Sequence, residues 1–174
     1  EKATQVPAPA EFDWKQFEGK TVSVILNKHP AAEAMIGQIP DFEAKTGIKV
    51  EYEILAESEY FAKLPLELAS KTGLYDVLMT GPMIEWEYVP GDWLEDLRPY
   101  LDDATMTDIE WYDEGDFYPS LFNANRWTGN LGGGVGEGPQ WAIPIMVETY
   151  LLCYRGDLAD EYGVDTPDTI EELY

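Results

Sequence analysis

Val22-Ser23-Val24-Ile25-Leu26 is a short run rich in β-branched residues, and it stops abruptly at Asn27-Lys28-His29-Pro30. The run follows a turn signal, Glu18-Gly19-Lys20, and reads as a strand. Pro30 suits the first turn of a helix, where a missing N–H costs nothing. From there Met35, Ile39 and Phe42 recur at i, i+4 and i+7, which predicts one apolar helical face. Pro40 should kink or restart that helix, and Gly47 after Lys45-Thr46 should end it.

The pattern then repeats. Val50-Glu51-Tyr52-Glu53-Ile54 alternates with period two, as expected for a half-exposed or edge strand. Ser58 is a candidate cap for a second helix in which Phe61, Leu64 and Leu68 share a face, ended by Lys71-Thr72-Gly73. Tyr75-Asp76-Val77-Leu78-Met79-Thr80 reads as a third strand running into Gly81-Pro82. Strand, helix, strand, helix, strand predicts an α/β fold: a mostly parallel sheet flanked by helices.

Farther on, the chain is less regular. Trp86-Glu87-Tyr88 and Trp93-Leu94-Glu95-Asp96-Leu97 suggest a short helix and a packed turn, and Asp102 to Asp116 is acidic and irregular. Gly129 to Gly138 reads as a flexible hairpin loop, with Trp141-Ala142-Ile143-Pro144 resuming as a strand. Its glycines lack the Gly-Lys-Ser/Thr ending of a phosphate loop, and Glu137 would repel phosphate.

With 34 acids against 11 bases, the net charge is −23. Nucleic acid and anionic lipid surfaces both demand basic patches, so neither is an expected partner. The acidity fits a solvated surface on a monomer. The single cysteine, Cys153, can form no internal disulfide, and its apolar neighbours suggest a buried small hydrophobe. One histidine and one thiol cannot complete a metal site, and no cofactor is implied. Neither a nucleophile elbow nor a pair of carboxylates at glycosidase separation is evident, so the residues nominate no catalyst.

In open α/β sheets, ligands bind beyond the carboxyl ends of the strands. Asn27, Lys28 and His29 follow the first strand, and Thr80, Gly81, Pro82 and Met83 follow the third. These are candidate binding loops as well as ordinary connections. For His29, helix capping and ligand contact stand equally open. Trp86, Trp127 and Trp141 are candidate anchors, one of which could offer a face to a carbohydrate. Glu148 lies between Ile145-Met146-Val147 and Tyr150-Leu151-Leu152. Buried there, it would need hydrogen bonds from a solute or pairing with Lys28 to offset desolvation; on an edge strand it would simply face water.

The ordered set from Ile39-Pro40-Asp41-Phe42-Glu43-Ala44-Lys45-Thr46-Gly47-Ile48-Lys49-Val50 through Tyr75-Asp76-Val77-Leu78 and Gly91-Asp92-Trp93-Leu94-Glu95-Asp96-Leu97 resembles the extracellular solute-binding proteins of ABC importers. The resemblance continues through Ala142-Ile143-Pro144 and Leu152-Cys153-Tyr154-Arg155-Gly156-Asp157-Leu158 to Thr166-Pro167-Asp168-Thr169-Ile170-Glu171-Glu172-Leu173. The similarity is to the sugar-binding group that includes maltose-binding protein. It implies a type II periplasmic-binding-protein lobe with helices on both faces of its sheet, and two such lobes hinged over a solute.

On that resemblance, residues 1–19 are an N-terminal tether, 20–143 the first lobe, 144–149 the first hinge strand, and 150–174 the truncated start of a second lobe, entered through a helix near Leu158 to Tyr162. Asn27, Lys28, His29, Thr80, Gly81, Pro82, Met83, Trp86 and Glu148 should line the ligand cleft. The implied function is a non-enzymatic, periplasmic or extracellular receptor, with lipid anchoring an open alternative, that delivers a sugar or polyol to a membrane permease. Pro82-Met83-Ile84 stands where a maltodextrin binder has a charged pair, which argues against maltodextrin. The rival readings are a secreted carbohydrate-active enzyme and a receptor for a non-sugar solute.

Overall fold

A computed structural model describes residues 12–148 and 151–173. Its centre is strand β1 (Thr21–Asn27), which pairs in parallel with β2 (Lys49–Leu55) on one side and β3 (Val77–Leu78) on the other. Helix α1 (Pro30–Thr46) links β1 to β2, and α2 (Glu57–Ser70) carries the chain back past β1 to β3. The order β2-β1-β3 reverses direction at β1, so a topological switch point lies between β1 and β3.

Alternation along β1 explains why the two helices lie on opposite faces. Val24 and Leu26 pack with Ala32 and Ile36 of α1, whereas Ile25 packs with Tyr60 and Leu64 of α2. Fully burying a side chain the size of Ile25 contributes roughly 1.5–3 kcal/mol. The central strand therefore reads as continuously hydrophobic, while β2, the edge strand, alternates.

The helices rest on different residues than their apolar spacing suggests. In α1 the buried residues are Ala32 and Thr46, with Ile36 partly buried, while Met35 and Phe42 are exposed. Ala32 lets the helix approach β1 closely, and the Thr46 hydroxyl is satisfied by donating to the Phe42 carbonyl and accepting from the Ile48 N–H. In α2, Tyr60 and Leu64 face inward and Phe61 outward. Ala56, not Ser58, is the N-cap, without a side-chain bond; Glu57 and Glu59 favour the positive helix end instead. Pro40 is exposed and α1 continues through it.

Several of the quoted motifs act as clasps. Glu43 accepts from the Val50 N–H at 3.0 Å and from Lys49 at 2.9 Å, closing the α1–β2 turn at Gly47, whose φ of 72° is left-handed. Asp76 receives the Ser23 N–H at 2.8 Å and starts the β1–β3 pairing. Asp96 accepts from the Gln140 N–H at 3.2 Å, which docks the Trp93–Leu97 turn onto the far end of the chain's second sheet.

Beyond β3 come α3 (Pro82–Tyr88), α4 (Arg98–Leu101), α5 (Ile109–Tyr112), a 3-10 turn (Glu114–Asp116) and α6 (Pro119–Ala124). The expected irregular acidic stretch is thus partly helical, held where the Arg98 guanidinium grips Glu114 and Asp102. Strands β4 (Arg126–Trp127) and β5 (Val135–Gln140) form an antiparallel hairpin, so the hairpin reading holds but the strand lies within the glycine stretch, not at 141–144. Gly138 has a φ of 85°, and a Cβ there would come within 3.0 Å of the Thr128 backbone.

Residues 141–148 form no strand, contrary to the hinge strand expected over 144–149; a strand needs a partner, and none of the described strands lies along them. Thr149 and Tyr150 lie outside the described residues, as do residues 1–11 of the expected tether. Residues 12–19 are fixed rather than loose: Trp14 packs edge-on against Trp111, and the Lys45 ammonium lies 3.4 Å from the Trp14 ring centroid. Helix α7 (Gly156–Tyr162) forms where a helix was expected, but residues 163–173 do not continue it. Cys153 is exposed, not buried, because its apolar neighbours Leu151, Leu152 and Tyr154 are themselves uncovered.

Candidate functional site

The carboxyl ends of β1 and β3 meet at the switch point. Val24 pairs with Val77 and Ile25 with Leu78; continuing that parallel register sets Asn27 beside Thr80, on the α2 face of the sheet. The Asn27 Oδ1 and Thr80 Oγ1 atoms are both buried and have no hydrogen-bond partner among the described residues. Buried polar atoms are nearly always paired, because leaving one unpaired costs about 1–3 kcal/mol. Both atoms therefore stand out near the switch point as polar groups that the described residues leave unsatisfied.

The edge is held rigid from below. The Tyr60 hydroxyl donates to the Met79 carbonyl at 2.5 Å, and the Lys28 N–H donates to the Leu55 carbonyl at 2.8 Å. Burial of the Tyr60 phenol pushes its pKa well above the ordinary value, so the hydroxyl remains a donor.

Thr80 also lines a cavity of about 160 Å³. Its other walls are Met79 and Pro82, Leu121, Ala124 and Asn125 of α6 and its end, and Ala142 to Met146 of the strandless segment. Asn125 is buried, donating from Nδ2 to the Leu121 carbonyl at 3.0 Å. A larger cavity of about 280 Å³ lies at the C-terminal end of α2, between Lys71 and Trp93. That one is at the amino end of β3, away from the switch point, and the unpaired atoms are not in its walls.

The nine expected site residues distribute as follows. Thr80 and Pro82 line the cavity of about 160 Å³, whereas Asn27 lies at the end of β1 outside its walls. Met83 and Trp86 are exposed on the outer side of α3, 63% and 64% accessible, leaving an indole face free. Gly81 caps α3 in extended conformation without a side-chain bond. Glu148 does not pair with Lys28: its Oε1 lies 3.2 Å from Nε2 of His29. His29 is also the N-cap of α1, its Nδ1 accepting the Ala31 N–H at 3.2 Å. Lys28 makes no ion pair among the described residues. Trp127 and Trp141 are hairpin anchors, donating to the carbonyls of Asn130 and Trp127.

Sequence reasoning missed Asn125, Leu121 and Ala124, which reach the cavity only through the packing of α6 and carry no local signal. It also missed Glu85, a buried acid on the inner side of α3 whose Oε1 has no partner among the described residues. Desolvation pushes its carboxyl up to about 7.

Comparison with known proteins fits this geometry. The chain is 35% identical over 163 residues to an erythritol/L-threitol-binding protein of Mycolicibacterium smegmatis, covering 93% of this chain and 34% of that one. An ABC transporter solute-binding protein from Agrobacterium radiobacter, solved with ribitol, superposes with a TM-score of 0.58 at 19% identity, over 90% of this chain and 36% of that one. Another from Agrobacterium vitis, solved with D-mannitol, superposes with a TM-score of 0.52 at 22% identity, over 86% and 32%. The chain thus spans about a third of the length of these relatives. The two structures show the shared fold, a type II periplasmic-binding-protein lobe. The family described as bacterial extracellular solute-binding protein matches residues 27–174, from the end of β1 through β2, β3 and the cavity residues to the carboxyl segment. This chain belongs to the bacterial extracellular solute-binding protein family.

Proposed function

We propose that the chain supplies the first lobe of an extracytoplasmic receptor that binds a short acyclic polyol and hands it to an ABC permease. The observation that carries this reading is the pair of buried, unpartnered atoms, Asn27 Oδ1 and Thr80 Oγ1, at the switch point. Solute hydroxyls could donate to these acceptors. The cavity is small and its walls are uncharged and largely apolar, which suits a short carbon chain. The 35% identity to an erythritol/L-threitol binder supports a polyol over a sugar ring.

In this reading residues 20–143 form the lobe, 144–149 the crossing, and 150–174 the beginning of a second lobe that would cover the exposed Leu151, Leu152 and Leu158. Solute bridging two lobes would shift an open–closed equilibrium toward the closed form that a permease recognises. The protein acts outside the cytoplasm as a monomer. The reading as a binding protein rather than a hydrolase rests on its family and its relatives, which are solute-binding proteins.

Calorimetric titration of the full-length protein with erythritol, ribitol, D-mannitol and maltose tests the proposal. Saturable binding of at least one polyol, without turnover and without maltose binding, is the expected result. Hydrolysis of an offered glycan, or binding of none of the polyols, would sink it.

A further inference from the structure

Glu85 is 3% exposed, and its Oε1 has no hydrogen-bond partner among the described residues. Pro82, Glu85 and Val89 are spaced at i, i+3 and i+7, so they share one side of α3. Pro82 lines the cavity, and Val89 meets the β4–β5 hairpin, where a Cβ on Gly129 would stand 3.4 Å from the Val89 Cγ1. Glu85 thus occupies the side of α3 between the cavity wall and the hairpin. The helix is held on that side and by Ile84 and Tyr88, which pack into the core; Met83 and Trp86 face solvent, and Gly81 caps it without a side-chain bond.

The elements packed against α3 offer the Glu85 carboxyl no cation. Strands β1 and β3 and helix α6 carry no charged residue. Lys63 and Lys71, on α2 and at its end, pair with Glu53 and Asp92, and Arg126 of the hairpin donates to the Gly138 carbonyl. The phenols of Tyr60 and Tyr88 are pushed up by burial and stay uncharged near neutral pH, while the acids Glu87 and Glu137 are exposed. A carboxylate buried without a partner is costly, so this position suits the neutral acid.

Resting on the polyol reading, we propose that Glu85 is a positioning residue for the solute site: as the neutral acid it seats α3 and thereby fixes Thr80 and Pro82, and on losing its proton it loosens the helix and weakens solute binding. Glu85 does not touch the solute; it acts through the Thr80-Gly81-Pro82 link at the start of α3. Burial pushes the seated carboxyl up to about 7, whereas one released to water would return to about 4.5. Between those values the seated helix holds a proton that the released one has lost, so seating weakens as pH rises through that window and no further above it.

The test is titration of the full-length protein with erythritol from pH 5 to pH 8, in wild type, Glu85→Gln and His29→Asn. Wild-type affinity should fall about fivefold over that range. Glu85→Gln, uncharged throughout, should bind equally well at both ends and should exceed the wild type at pH 8. Histidine is the other side chain that titrates in this range, so the fall should persist in His29→Asn. Backbone amide NMR should show residues 81–89 shifting with a midpoint near pH 7 in the wild type and not in Glu85→Gln. A wild-type affinity that ignores pH, a fall that survives in Glu85→Gln, or a fall abolished by His29→Asn would overturn the inference. A protein that binds no polyol at any pH would sink the polyol reading; the amide titration then decides the Glu85 switch by itself, upheld by a Glu85-dependent transition and overturned by none.

Discussion

Asn27 ends β1 and Thr80 follows β3 by two residues, and each has a buried side-chain oxygen that no described residue satisfies. An unpaired buried oxygen is costly for the free lobe, and on the proposed function a hydroxyl-bearing solute would offset that cost. Folding and binding therefore make opposite demands at these two positions.

Thr80→Val should separate those demands. Removing the unpaired hydroxyl is expected to leave stability unchanged or raise it by on the order of 1 kcal/mol. Erythritol affinity of the full-length protein should fall at least tenfold, about 1.4 kcal/mol. Denaturant unfolding and calorimetry measure the two; loss of stability without loss of affinity would show a purely structural threonine.

Glu148→Ala should weaken polyol binding in the full-length protein by at least tenfold, again about 1.4 kcal/mol. Because Glu148 is exposed, Tm should scarcely move. Unchanged affinity would place the carboxylate outside the site.

Tyr60→Phe removes the donor to the Met79 carbonyl and leaves that buried acceptor unpaired. The expected loss of stability is about 1–3 kcal/mol. Affinity should also fall, since the Met79–Thr80 backbone loses its tether to α2. Urea unfolding with parallel titrations checks both, and an unaltered midpoint would contradict the assigned bond.

Glu85 predicts a pH dependence. Its folded-state pKa is raised to about 7, above the value near 4.5 of an exposed glutamate, because burial disfavours the charged form. Between those values the folded protein holds a proton that the unfolded chain has lost, so stability falls as pH rises from 4.5 to 7. Glu85→Gln should therefore stabilise more at pH 8 than at pH 4, by up to about 3 kcal/mol. Equal effects of the substitution at both pH values, read from denaturant midpoints, would place Glu85 in water.

Reading Val22 to Thr80 for periodicity yields the three strands and two helices in order, because each has a local cause: β-branched runs, Pro30 at a helix start, Gly47 at its end. The apolar faces were less legible. Met35, Phe42 and Phe61 have helical spacing yet face water, since the stripe that meets the sheet is chosen by fit, as Ala32 against β1 shows. The strand near residue 141 was displaced because glycines at positive φ disguise β5 as a loop.

Residues after parallel strands can be named as candidates from topology alone, and that is how Asn27, His29 and Thr80 were found. Which of them meet cannot be. The partner of Glu148 was expected to be Lys28 and is His29, one residue along, because the N-cap geometry of α1 turns the imidazole toward the crossing segment. By itself the sequence determined the α/β order, the family and the acidic charge, all of which are encoded in local spacing and composition. Only tertiary structure decided that two oxygens 53 positions apart in the chain, at the ends of neighbouring strands, are both buried and unpaired among the described residues. That follows from sheet register, a property of two segments together that neither carries alone.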